Sequence, residues 1–121
     1  MKITHFEEIQ AWQEARKLAK EIYNFTKRLG FRKDFNLTSQ IQRAVISVMA
    51  NIVEGFDRQS KKEFVQFLSF ASASTSEVQS HLYLASDQGY ITEEEFKVAY
   101  AQAQKVKSMI NGFMAYLKGK R

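Results

Sequence analysis

The chain has 121 residues, 45% of them hydrophobic and 26% charged, with a net charge of +5 and a pI near 9.5. That length suits one ordinary domain with its own core, and the composition excludes a disordered polymer. No cysteine is present, which excludes disulfides and thiolate metal sites, and the absence of proline with only five glycines favours long helices.

Residues 1–8 turn acidic at once and carry no apolar run, so no signal peptide is expected. A first helix is predicted over about 6–29, because Ile9, Trp12, Ala15, Ala19, Ile22, Tyr23, Thr26 and Leu29 recur at three- and four-residue steps. Thr4 and Glu7 have capping-box spacing, and Gly30 stands where a C-terminal cap belongs. Residues 31–37 form a connector. The second helix is predicted over about 39–56, with Ile41, Ala44, Val45, Val48, Met49, Ile52, Val53 and Phe56 covering more than half its circumference. It is expected to be the most buried. Its most apolar window, 44–53, is interrupted by Ser47 and Asn51 and is too short to span a bilayer. With no cysteine and no leader, a cytoplasmic protein with no membrane role is expected.

Ser60 and Glu63 open a third helix, about 61–87, whose stripe is Phe64, Phe67, Leu68, Ala71, Val78, Leu82 and Ala85. Its stretch 71–76 is all small, which lets a neighbouring helix approach closely, and Gly89 ends it. Thr92 and Glu95 form another capping box, with Ile91 and Phe96 placed as a hydrophobic staple. The fourth helix, about 93–118, carries Phe96, Ala99, Tyr100, Ala103, Val106, Ile110, Phe113, Met114 and Leu117. No segment alternates at period two, so no sheet is expected. Helices of about 27 to 39 Å joined by short connectors give an all-α, antiparallel up-down-up-down four-helix bundle, one domain over 1–121.

The search for chemistry finds little. His5 and His81 are far apart, Glu77 stands four residues before His81 at hydrogen-bond spacing, and no Glu-x-x-His motif of a bundle metal site occurs. There is no phosphate-binding glycine loop and no nucleophile elbow. Neither an enzyme nor a cofactor is expected.

Three surface patterns stand out. Gln40, Arg43, Ser47, Asn51, Glu54 and Arg58 share one narrow polar face of the second helix. This is either the solvent side of a mostly buried helix or a polar network that sets register between helices or subunits. Arg16, Lys17, Lys20, Lys27, Arg28, Arg32 and Lys33 concentrate positive charge against Glu21 alone, with Glu7, Glu14 and Glu21 along one edge at heptad spacing. From Phe96 onward Lys97, Lys105, Lys107, Lys118, Lys120 and Arg121 meet no acid. Acids early and bases late complement the helix dipole, and the same layout suits a sequence-blind, salt-sensitive phosphate surface. No aromatic interleaving marks base stacking. Phe70, Ala73 and Leu84 lie off the core stripe of the third helix, as a subunit contact or a broader core would have them.

Several segments together carry a resemblance. They are Trp12-Gln13-x-Ala15 and Tyr23, Leu37-Thr38-Ser39-Gln40-Ile41-x-Arg43-Ala44, Ser47, Asn51-Ile52-x-Glu54-Gly55, Ser60-Lys61-Lys62-Glu63-Phe64-x-x-Phe67-Leu68, Ala71, Ser74, Glu77 and Gly89-Tyr90-Ile91. Over about 6–117 the chain resembles the four-helix-bundle proteins encoded in intervening sequences of bacterial 23S rRNA genes. It departs from them in lacking a proline near Phe31, in Gln42 where a base is common, in Met49-Ala50, and in Ser72 to Thr75. Gln42 weakens a nucleic-acid role for that face. The resemblance implies a ring-like homopentamer without enzymatic activity. It also implies kinship with the accessory variability determinant of diversity-generating retroelements, a basic pentamer that engages a reverse transcriptase and nucleic acid. On this resemblance Arg43, Asn51 and Glu54 read as a structural network. Two functions follow as expectations. One is an oligomeric protein bound to RNA or DNA. The other is an interaction module docking a protein partner.

Overall fold

The computed structural model describes residues 2–119. Among them the fold is helical throughout, with no strand: a 3-10 turn at Phe6–Glu8, then α1 (Gln10–Thr26), α2 (Leu29–Lys33), α3 (Phe35–Phe56), α4 (Lys61–Asp87) and α5 (Glu93–Leu117). The four long helices pack as a bundle. α3 packs most extensively on α4, α4 on α5, and α1 against both α3 and α5. No helix is long and apolar enough to cross a membrane among the described residues.

The first helix is shorter than its apolar spacing predicts. Residues 6–8 turn as 3-10, and Ile9, extended and 2% exposed, separates them from α1. The Thr4–Glu7 capping box does not form. Instead the Thr4 amide and hydroxyl both donate to the Glu8 carboxylate, at 3.1 and 3.2 Å. The Gln13 side chain donates to the Glu7 carbonyl at 2.7 Å, and Phe6 sets its ring edge-on to Trp12 with centroids 5.0 Å apart. Within α1, Ala11, Ala15, Leu18, Ile22 and Phe25 are buried at alternating four- and three-residue steps.

Gly30 is not the C-cap of α1. The helix ends at Thr26, and Arg28 is extended. A single further turn, α2, then inserts the fully buried Phe31, whose ring stacks on Tyr90 at 5.1 Å. α3 begins at Phe35 rather than near Ser39, because Asp34 is an N-cap: its carboxylate accepts the Leu37 N–H at 3.0 Å. The other carboxylate oxygen accepts the Tyr90 hydroxyl at 3.0 Å. Phe35, 81% exposed, breaks the apolar period and hides this start in the sequence.

α3 is not more buried than its neighbours. It leaves Ile46 50% exposed, while α4 contributes a longer set of buried residues. The Ser60 hydroxyl accepts the Glu63 N–H at 3.1 Å, but Glu63 bonds back only to that hydroxyl, so the cap of α4 is half a capping box. At α5 the Thr92–Glu95 box is complete. Gly89, at φ 77°, closes α4: its N–H reaches the Ser86 carbonyl and the Tyr90 N–H reaches that of Ala85, the paired bonds of a Schellman end. The segment Gly89-Tyr90-Ile91 therefore caps one helix, ties α3 through Asp34, and buries Ile91 (4% exposed) just before α5.

Candidate nucleic-acid interface

All seven cationic residues singled out between 16 and 33 are exposed, but they divide into two kinds. Lys17 and Arg28 are committed within the chain. Lys17 donates to Glu14 at 3.0 Å, and Lys105 of α5 stands 3.5 Å from the same carboxylate. Gln102 of α5 donates to Glu14 at 3.0 Å, and the carboxylate is only 14% exposed. Hydrogen bonds from Gln102 and then Lys17 hold the Glu14 carboxyl down to about 2. Arg28 forms a two-pronged bond to Glu95 at 2.8 and 2.5 Å and lies over the Phe25 ring at 5.1 Å. That guanidinium, with the Thr92 amide, holds Glu95 down to about 2. Glu21 is pushed the other way, first by burial and then by the nearby Glu95 charge. The acidic edge seen in the sequence is thus mostly the α1–α5 seam.

Arg16, Lys20, Lys27, Arg32 and Lys33 form no ion pair among the described residues. Arg16 and Lys20 are on the solvent side of α1, Lys27 follows its last residue, and Arg32 and Lys33 are on α2. Five exposed cations without an internal partner can meet a polyanion without first breaking an internal pair, and two of them, Arg16 and Lys20, line one groove. Of the late basic residues, Lys107 donates to Ser76 and Lys97 is exposed, while Lys120 and Arg121 lie outside the described residues.

The polar face of α3 comes apart into three. Ser47 and Asn51, half-buried, and Ser74, buried, form a compact set: the Asn51 amide donates to the Ser47 carbonyl and hydroxyl at 2.9 and 3.0 Å, and the Ser74 hydroxyl donates to Ser47 at 2.9 Å. Glu54 pairs with Arg58 at 2.7 Å in solvent, and the Arg58 guanidinium lies over Phe67 at 4.7 Å. Gln40 and Arg43 are exposed and bond to nothing among the described residues. Gln40 borders a shallow cleft of about 240 Å³ with Asp34, Asn36, His81 and Leu84. No hydrogen bond joins His81 to Glu77. On α4, Phe70, Ala73 and Leu84 are exposed, Phe70 by 46% and Leu84 by 50%.

Gln42, where the sequence departs from the resemblance, donates to the Thr26 hydroxyl at 3.1 Å and ties α3 to α1. The exposed Phe35 and Ile46 and the Glu14–Gln102 bond escape a reading of the sequence. Ile46 falls outside the second helix's apolar stripe, and Gln102 lies 88 positions from its partner.

Comparison with known proteins adds a family and a fold. The family described as 23S rRNA-intervening sequence protein matches residues 7–112. Among solved structures, the chain is similar to a protein of unknown function from the S23 ribosomal protein family of Bacteroides thetaiotaomicron, with a TM-score of 0.79 and 24% identity. That match covers 86% of this chain and 97% of the other, and at such identity it speaks for the fold alone. No curated protein matches the chain.

Proposed function

The chain belongs to the 23S rRNA-intervening sequence protein family, and on that premise we propose that it is a non-enzymatic, oligomeric nucleic-acid-associated protein of the cytoplasm. It meets RNA through phosphates. The observation that carries this reading is the set of five exposed cations, Arg16, Lys20, Lys27, Arg32 and Lys33, that no carboxylate of the described chain neutralises.

The proposed architecture is a single up-down-up-down bundle. Its support lies in the cross-helix pairs: Ser47 with Ser74, Gly55 with Phe64, Ser72 with Asn111, Gln79 with Gln104, and Glu14 with Gln102. In each helix pair that contributes two of these, rising numbers on one helix meet falling numbers on the next. The proposed assembly is a ring-like homopentamer. Its support is uncovered apolar surface on the two most closely packed helices: Phe35 and Ile46 on α3, Phe70 and Leu84 on α4. A pentamer of +5 chains carries about +25, and repeated weak phosphate contacts then add up.

A salt titration of RNA binding, with particle mass measured by light scattering in the same buffer, tests this. Binding should weaken with a log–log slope of about −0.7 per phosphate contacted on a single strand. Replacing Arg16, Lys20 and Lys27 together by glutamate should abolish it and leave the helix content unchanged. Absence of binding at low salt would end the proposal. The same exposed Phe70 and Leu84 favour a second reading, a module that docks a protein partner such as a reverse transcriptase, with little salt dependence.

A further inference from the structure

Glu7, Trp12, Gln13, Arg16, Lys17 and Lys20 enclose a groove of about 490 Å³. Trp12, Arg16 and Lys20 follow one another at four-residue steps and make a single ridge about 12 Å long. Trp12 is half-buried, braced by the edge-on ring of Phe6, and its indole N–H bonds to nothing among the described residues. Because no fully buried side-chain polar atom lacks a partner, that N–H faces the groove or solvent. Gln13 uses its amide N–H on the Glu7 carbonyl and keeps its carbonyl oxygen free to accept. Lys17 is drawn to Glu14, which leaves Arg16 and Lys20 as the unneutralised cations.

The groove is thus graded along its length. One end offers an aromatic surface, an indole donor, and acceptors at Gln13 and the Glu7 carboxylate. The other end offers two free positive charges. A polyphosphate would use only the cations and be repelled by Glu7. A duplex keeps its bases stacked inside and offers no face to an indole. An unpaired nucleotide fits both ends: its base lies against the indole, with ring or exocyclic N–H groups toward Gln13 and Glu7, and its phosphates lie on Arg16 and Lys20. The rise from Arg16 to Lys20 is about 6 Å, comparable to the spacing of successive phosphates. We propose that this groove is a subsite for one unpaired nucleotide of a single-stranded nucleic acid. The proposal rests on the nucleic-acid reading above and adds to it a preference for strands over duplexes.

Trp12 is the single tryptophan of the chain, so its own emission reports the site. The protein is titrated with an end-labelled single-stranded oligoribonucleotide, the matching duplex, inorganic tripolyphosphate and a free mononucleotide. Anisotropy of the labelled strands measures binding independently of Trp12. The single strand should bind and quench the emission, the duplex should bind without quenching, and tripolyphosphate and mononucleotide at equal concentration should leave emission unchanged. Trp12→Leu, checked for helix content, should weaken single-strand binding about tenfold and leave duplex binding unchanged. Should that variant not fold, the quenching measurement on the unaltered protein still decides. Anisotropy that reports strand binding with unchanged emission would overturn the subsite and leave the nucleic-acid reading standing. Equal quenching by duplex, tripolyphosphate or mononucleotide would also overturn it. No binding of any strand at low salt would overturn both.

Discussion

The seam between α3 and α4 and the seam between α1 and α5 are built from different materials. At α3–α4 the backbones come close. A Cβ on Gly55 would stand 2.8 Å from Phe64 Cδ1, 3.0 Å from Phe67 Cβ and 3.2 Å from the Phe64 carbonyl oxygen. Neutral hydroxyls and an amide, Ser74, Ser47 and Asn51, complete the contact. At α1–α5 carboxylate bonds are added to the apolar contact: Glu14 gathers Gln102, Lys17 and Lys105, and Arg28, just past α1, grips Glu95. Short-range packing does not respond to pH or salt, whereas carboxylate clamps respond to both. The α3–α4 contact is therefore expected to be indifferent to solution conditions, and the α1–α5 contact to be adjustable by them. The adjustable side also carries the free cations proposed to meet phosphate.

The largest effect should come from breaking the close seam. Gly55→Val has no space, and nearby backbone prevents a simple rearrangement, so a loss of about 2–3 kcal/mol is expected. Calorimetry should show the melting temperature fall by roughly 8 °C or more. If the variant melts with the unaltered protein, the seam is looser than described. Asn51→Ala removes both bonds to Ser47 and should cost about 1 kcal/mol in urea unfolding, with an unchanged dependence on salt.

The ionic seam should show itself through pH. Glu14 and Glu95 titrate at about 2 in the fold and near 4.5 when unfolded. The unfolded chain therefore binds more protons between those values. The stabilisation is complete above about pH 4.5 and drains away as pH falls toward 2. Glu14→Gln should flatten the melting-temperature profile over that interval and leave the profile above it parallel. An unchanged profile would remove Glu14 from the clamp. The smallest effect belongs to Glu21, whose carboxyl is raised by burial and by the Glu95 charge. A raised carboxyl costs stability once ionised, so Glu21→Gln should gain a few tenths of a kcal/mol at pH 7 in urea unfolding.

Particular residues show how far the sequence could be read. Ile22, Val48, Leu82 and Ile110 sit at helical period and are fully buried, since repeating apolar side chains every three or four residues leaves a helix one stable way to face a core. The Thr92–Glu95 box and the cap at Gly89 were equally legible, because capping involves only residues a few positions apart. The start of α3 was not, because the exposed Phe35 breaks the apolar period and the cap Asp34 is steadied from Tyr90, 56 positions away.

The same division runs through the candidate site. The charge, its concentration between residues 16 and 33, and the acid row at 7, 14 and 21 are properties of the chain. Which cations are free is decided by α5, which brings Glu95 to Arg28 and a seat for Glu14 beside Lys17, and leaves Arg16, Lys20 and Lys27 without an acid. The polar row on α3 was visible as a stripe, yet only the approach of α4 set Ser74 against Ser47 and left Arg43 alone in solvent. Local spacing and caps determine which segments become helices and which side of each is apolar, because those forces act within a turn or two. Pairing, burial of a charge and the vacancy of a surface depend on groups that only packing brings within a few ångströms.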